Sequence, residues 1–397
     1  VTNNNSCNDC GGGIRFGGGV FDHNIISGNS GGDAAFFISS SSGEVTNNII
    51  FNNDTDYNAL EQDNDGVTTF TRNIVIGQTY FKDVDLGSSS SYTNNVFVGG
   101  LTGEIEFEQN TSPDFSKNTI LNGSGSNRLL LYANGNNVNQ AVYFSKNLFS
   151  GNSSGYYVEV GSVWGWSNTN LTYTQNNMIN NDGFYVKGPT NDHSVENNWW
   201  GTTTESEIQD LIYDWNDDAS LGFLDYDPYL TTPDTAAPLS PPKNVVKQSA
   251  NGSVLLSWAA NPESDVAGYK VYYGTYSGYS FASSVDVGNV TSYTLSGASV
   301  SDTIAVTAYD GNADGTDDQV QGYQSWFSFA GDPTPSMTLS ASSLDFGAVQ
   351  TSQSSTLNVT IGNDGTADLT VTDITSSNQY YSVNPTSFTV AAGESQV

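Results

Sequence analysis

The stretch richest in hard oxygen ligands is Asp310-Gly311-Asn312-Ala313-Asp314-Gly315-Thr316-Asp317-Asp318. Oxygen-bearing side chains at its first, third and fifth positions with Gly at the sixth are how a calcium loop begins, because they line one face of a tight turn with ligands for a hard cation. The twelfth place, where a bidentate Glu would complete the shell, holds Gln321. The stretch is therefore open to two readings. One is a looser calcium site on Asp310, Asn312, Asp314, Asp317 and Asp318; the other is a solvated acidic loop. Asp54, Asp56, Asn58 and Glu61 form a second, weaker set. Calcium is the one cofactor these residues suggest.

Three cations, Arg72, Lys117 and Lys146, each stand one place before an Asn in a recurring phrase. Stacked in one outward column they form either a grip for an acidic polysaccharide or turn residues that relieve carboxylate repulsion. Trp164-Gly165-Trp166 puts two indoles on one side of a strand, a platform for sugar rings or a pair that packs a long loop. Cys7 and Cys10 are the only cysteines, and His23 and His193 the only histidines. A zinc site would need a second ligand pair and a redox pair would open a helix, so a turn-stapling disulfide or two loop thiols fit Cys7-Asn8-Asp9-Cys10 better.

The phrase that carries these cations must position them. It reads Val45-Thr46-Asn47-Asn48-Ile49, Phe70-Thr71-Arg72-Asn73-Ile74, Tyr92-Thr93-Asn94-Asn95-Val96 and Phe115-Ser116-Lys117-Asn118-Thr119, with further copies on either side. Taking Asn24, Asn48, Asn73, Asn95, Asn118, Asn147, Asn177 and Asn198 as its key residues, the steps run from 21 to 30 residues. A unit this short cannot bury an apolar face alone and must stack on its neighbours. One fixed corner with loops of varying length predicts a right-handed parallel β-helix, each copy one coil rising roughly 4.8 Å. The Asn suits such a corner, since its amide tolerates a left-handed backbone and can bond the same amide one coil away.

These phrases, with Gly11-Gly12-Gly13-Ile14 and Gly31-Gly32, resemble the bacterial parallel β-helix repeat family, whose fold is shared with pectin lyases, over about residues 1–230. The resemblance implies a fold used by polysaccharide lyases and pectin hydrolases. Neither His lies in a Gly-His-Gly turn, and Asp22-His23 lacks the Trp and Arg-rich segment of the pectate lyase signature. Glu196-Asn197-Asn198-Trp199-Trp200-Gly201 to Leu230 resembles the closing segment of such helices. Thr204 and Glu207 predict a capping box, and Ile208, Leu211 and Ile212 a short helix to about Asp214 that covers the last coil.

A Pro-rich linker at 231–238 marks a boundary, beyond which the apolar period becomes two. Leu256-Ser257-Trp258, Ala267-Gly268-Tyr269-Lys270-Val271-Tyr272-Tyr273 and Ala305-Val306-Thr307-Ala308-Tyr309 resemble a bacterial fibronectin type III domain over 239–331, although Ser301-Asp302-Thr303 lacks the family's corner Tyr. After a second linker at 332–335, Leu344-Asp345-Phe346-Gly347, Leu357-Asn358-Val359-Thr360-Ile361 and Asn363-Asp364-Gly365 over 336–397 resemble an immunoglobulin-like domain of the abnormal-spindle/hydin type, also known as a choice-of-anchor module. The expected fold is all-β: a right-handed parallel β-helix with a short helical C-terminal cap, then two β-sandwich domains.

Forty-two acidic residues face 10 basic ones, a net charge of −32. Such a surface repels nucleic acid and anionic membrane. No apolar run reaches the roughly eighteen residues a membrane helix needs. Opening inside a repeat and closing within the last domain, the chain is expected to be a piece of a longer one, with its export signal upstream. The expectation is a secreted or cell-surface bacterial protein, monomeric as given: a non-catalytic rod and spacer for adhesion or contact with extracellular polysaccharide or another surface component. The alternative is a polysaccharide lyase or glycosidase acting on the β-helix flank.

Overall fold

The computed structural model describes residues 11–30, 34–39, 42–53, 58–63, 67–87, 90–107, 113–125, 127–133, 142–160, 171–250, 252–332, 334–363, 365, 367–391 and 394–397. Cys7, Cys10, Asp54, Asp56, Trp164 and Trp166 lie outside the described residues.

Most phrases fold as two strands of three or four residues meeting at the Asn corner, followed by a third strand that is usually longer. In one coil these are Glu44–Thr46, Ile49–Phe51 and Asn58–Asp63. Successive coils pair in parallel and in register, as Glu44–Thr46 does with Thr69–Thr71 and Ile49–Ile50 with Ile74–Val75. Three parallel sheets result among the described residues: a nine-stranded sheet of long strands and two seven-stranded sheets of short ones. This is a parallel β-helix, and antiparallel sheets of β-sandwich domains follow it.

Inside the coils runs a continuous apolar core. Its spine is a column of rings three residues before the corner Asn of five successive coils, stacked as Phe70–Tyr92 at 5.4 Å, Tyr92–Phe115 at 6.1 Å, Phe115–Phe144 at 4.8 Å and Phe144–Tyr173 at 5.5 Å. Offset ring pairs of this kind add stabilisation beyond the area they bury. The middle residue of each second short strand (Ile50, Val75, Phe97, Ile120, Phe149) joins the same core.

The corner amides form a ladder. The backbone N–H and Nδ2 of Asn73 both donate to Asn95 Oδ1, at 3.0 and 3.1 Å, while Asn95 Nδ2 donates to Phe70 O at 2.8 Å. Asn24, Asn48, Asn73, Asn95, Asn118 and Asn147 are linked in this way, and the ladder continues through Asn176 to Asn198. Asn176 therefore stands where Asn177 was expected. Asn177 faces outward instead and clamps the segment after the cap, donating to Asp234 O at 3.0 Å and accepting from Asp234 N at 2.9 Å. The left-handed conformation also falls elsewhere: it belongs to the residue before each ladder Asn, as in Arg72 at φ 60° and Lys117 at φ 57°.

Five residues on, Asn29–Asn53 and Asn152–Asn181 make a second amide ladder. Between these pairs Gly100 and Gly123 occupy the position, and the Tyr156 ring lies across them. A Cβ on Gly123 would meet that ring at 2.9 Å, so only Gly admits it. The buried Tyr156 hydroxyl donates to Leu101 O at 2.6 Å.

The cap helix is shorter than expected, Glu205–Gln209. No capping box forms: Thr204 makes no side-chain cap bond, while the Thr202 hydroxyl donates to Glu207 and accepts from Thr204 N. Ile212–Tyr213 is not helical but extends the long-strand sheet beside Val186 and Lys187. Strand pairing prevails there because it satisfies the backbone of an otherwise open sheet edge. Trp200 and Ile208 close the core end, and Trp199 packs with Leu148 and Ile179.

Packing divides the chain into two compact units. The first holds Val1–Lys243, Ala259–Thr291 and Thr303–Phe329. Its antiparallel sheet (Phe281–Gly288, Val266–Tyr276, Ala305–Asp310, Ser328–Phe329) packs on the outer side of the second short-strand sheet. Val96 and Leu121 meet Ala305, Val320, Trp326 and Phe327 there, and Phe51 meets Tyr279 at 4.8 Å between ring centres. The second unit contains an antiparallel sheet of Val246–Ala250, Ser253–Ser257 and Ser292–Ser296, and the strands from Met337 onward. Where the corner Tyr is lacking, Asp302 Oδ2 accepts from Ser299 N at 2.8 Å and Asp302 O accepts from Lys247 Nζ at 2.9 Å.

Candidate functional site

Alternation sends every second side chain of the long strands outward. In coils whose inward residues are Leu129, Leu131, Val158, Val160 and Val186, the outward set is Arg128, Tyr157, Glu159, Tyr185 and Lys187. Parallel register then builds a row of tyrosines: Tyr157 stacks on Tyr185 at 4.9 Å and 5°, and Tyr185 meets Tyr213 at 5.8 Å. Beside it runs a chain of charges. Arg128 reaches Glu104 at 2.6 Å and Glu159 at 3.5 Å, and Lys187 reaches Glu159 at 3.6 Å. Tyr132 donates to Glu106 at 3.0 Å. Burial first, then the neighbouring Tyr157, pushes the Tyr185 hydroxyl up, so it remains a neutral donor and acceptor.

Chemically this flank is a hydrogen-bonding surface. Each of its cations already holds a carboxylate, and the faces of Tyr157 and Tyr185 cover one another, leaving edges and hydroxyls to solvent. Glu104 and Glu159 are bridged by Arg128 and so are charge-paired rather than poised as an acid and a base.

The corner column gathers Arg72, Lys117 and Lys146 on one edge, two of them in successive coils, with Asn94 between Arg72 and Lys117. Arg72 is not a free cation: its Nη2 donates to Asp317 Oδ2 at 2.6 Å, across 245 residues of sequence. The acidic loop is closed on its own backbone. Asp310 accepts from the N–H and Nδ2 of Asn312 at 2.8 and 3.1 Å, and Asp318 from the N–H groups of Asp314 and Gly315 at 3.0 and 2.9 Å. Asp314 accepts from Thr316 N at 2.8 Å. Among the described residues no three His, Cys, Asp or Glu side chains converge to share a metal ion. In the second set, Asn58 Nδ2 reaches Glu61 Oε2 at 3.3 Å.

Elsewhere on the column, Asp22 accepts from His23 at 2.6 Å, Thr46 at 2.6 Å and Asn47 at 2.8 Å. The Asn47 bond, then those of Thr46 and His23, hold its carboxyl well below the usual range. Sequence reasoning missed the tyrosine row and its charge chain. Their signal was present as Tyr157, Tyr185 and Tyr213, each alternating with buried residues.

Fold and flank together define a class: a parallel β-helix joined to antiparallel sandwich modules, with an immunoglobulin-like segment at the C-terminal end. Residues 335–397 match the family described as HYDIN/CFA65/VesB-like, Ig-like domain. No curated protein matches the chain.

Proposed function

We propose that this chain is a non-catalytic rod and spacer of a secreted or cell-surface protein, contacting extracellular glycan along its flank. The observation that carries the reading is the unbroken amide ladder from Asn24 to Asn198 with the ring column beside it, which makes the coils one stiff body. The flank supports glycan contact through rows of hydroxyls, carboxylates and paired cations at the spacing of the coils. Incubating the chain with acidic and neutral polysaccharides in the presence of calcium tests this. Retention on immobilised polysaccharide is expected, with no new unsaturated uronate absorbance and no new reducing ends. Product formation that disappears in Lys117→Ala would overturn the reading in favour of a lyase.

A further inference from the structure

A cleft of about 640 Å³ opens beside the corner column, with Asn47 and Arg72 on one wall and Tyr272, Tyr279, Ser284 and Gln324 on the other. All of it belongs to the first compact unit. Its volume falls within the roughly 300–1,000 Å³ of ligand pockets, and its lining is mostly polar, with aromatic side chains among the charges. Arg72 Nη2 is spent on Asp317, but Arg72 Nε is buried and has no hydrogen-bond partner among the described residues. A buried, unmatched guanidinium N–H costs stability unless an acceptor arrives.

We propose that this cleft binds a short neutral oligosaccharide. The inference rests on the glycan-contact reading and gives it a second, enclosed site. The charges select the ligand. Arg72 and Lys270 are each already beside a carboxylate, at 2.6 Å from Asp317 and 3.8 Å from Asp318, and Asp286 adds a third acid. A uronate would meet net negative charge. Sugar hydroxyls, being donors and acceptors at once, match the carboxylates and the paired cations of the lining. Tyr279 and Tyr272 offer an apolar body with a polar tip, which suits the two-sided character of a pyranose ring.

The test is calorimetric titration of the whole chain with cellotetraose, maltotetraose and xylotetraose, and with tetragalacturonate as the charged counterpart. At least one neutral tetrasaccharide binds saturably and more tightly than tetragalacturonate. Ser284→Trp, which fills the cleft from an exposed position, weakens binding at least tenfold. Arg72→Lys keeps a charge for Asp317 but removes the planar guanidinium from the wall of the cleft, and weakens it at least threefold. Both variants keep the parent circular dichroism and melting temperature. Absence of neutral binding, equal binding in both variants, or preference for tetragalacturonate overturns the proposal. If polysaccharide gels retain parent and Ser284→Trp alike while no tetrasaccharide binds, the cleft falls and the flank reading stands; if no gel retains the chain, both fall.

Discussion

The amide ladder permits a sharp comparison between two adjacent residues of one type. Asn95 is 1% exposed, and its Oδ1 is the acceptor for both the backbone N–H and the Nδ2 of Asn73, itself fully buried. Asn95→Ala removes that oxygen and strands two buried donors, each at about 1–3 kcal/mol, so the loss is about 2–6 kcal/mol. At about 1.4 kcal/mol per decade, a central value of 4 lowers the protection of the Asn73 amide by roughly a thousandfold. Asn94 sits next door at φ 60°, where Gly is at home, and its Oδ1 has no partner among the described residues. Asn94→Gly is therefore expected to change stability by less than about 1 kcal/mol. Hydrogen exchange of peptides spanning 69–76, with urea unfolding beside it, reads both. Equal losses in the two variants, or a loss below about 1 kcal/mol for Asn95→Ala, would refute the claim that the ladder bonds and not the corner conformation hold the coils in register.

Leu121→Asp places an unpaired charge where the antiparallel sheet docks; we expect a loss above about 3 kcal/mol and a red shift of Trp326 emission. Asp317→Asn breaks a pair whose side chains are 33% and 53% exposed, so it costs no more than about 1 kcal/mol, and less in high salt, by thermal melts at two ionic strengths. The two readings of the acidic loop separate in thermal melts: a calcium-dependent rise abolished by Asp318→Asn marks an ion site, and melting indifferent to chelator and millimolar calcium marks a solvated acidic loop. His193 is buried with Nε2 unpartnered among the described residues, and burial lowers its pKa from 6.5 to about 4. The folded state then binds fewer protons than the unfolded one, so stability present above pH 6.5 is lost as pH falls toward 4, by up to about 3 kcal/mol, and His193→Phe flattens that slope in pH-dependent urea titrations.

Much of the coil architecture was legible because it is written locally. An apolar residue, then Asn three places later, then an apolar run recur at every corner, and that interval locates the ladder residue even where two Asn are adjacent. Measured from Tyr173 it points to Asn176, so the choice of Asn177 ignored a signal that was available. The docking face was legible too, since Ile74-Val75-Ile76 and Val96-Phe97-Val98 are apolar at every position, the mark of strands buried on both sides. The partner for that face was not, because Trp326 and Phe327 lie more than 200 residues away in sequence. The Arg72–Asp317 pair is likewise a product of tertiary packing, with no local pattern to announce it. The cap was misread because Ile208, Leu211 and Ile212 satisfy a helical period, while the open sheet edge beside Val186 claims Ile212.

The left-handed residue ahead of each ladder amide has a consequence for how this chain can change. His23, Asn47, Arg72, Asn94, Lys117, Lys146, Gln175 and Asn197 all adopt it, with φ from 54° to 60°. Eight side chains of such different size and charge share one backbone shape, so the requirement there is conformational and leaves composition free. The coils thus carry one position each where the side chain can change while the backbone shape and the amide ladder beneath are kept.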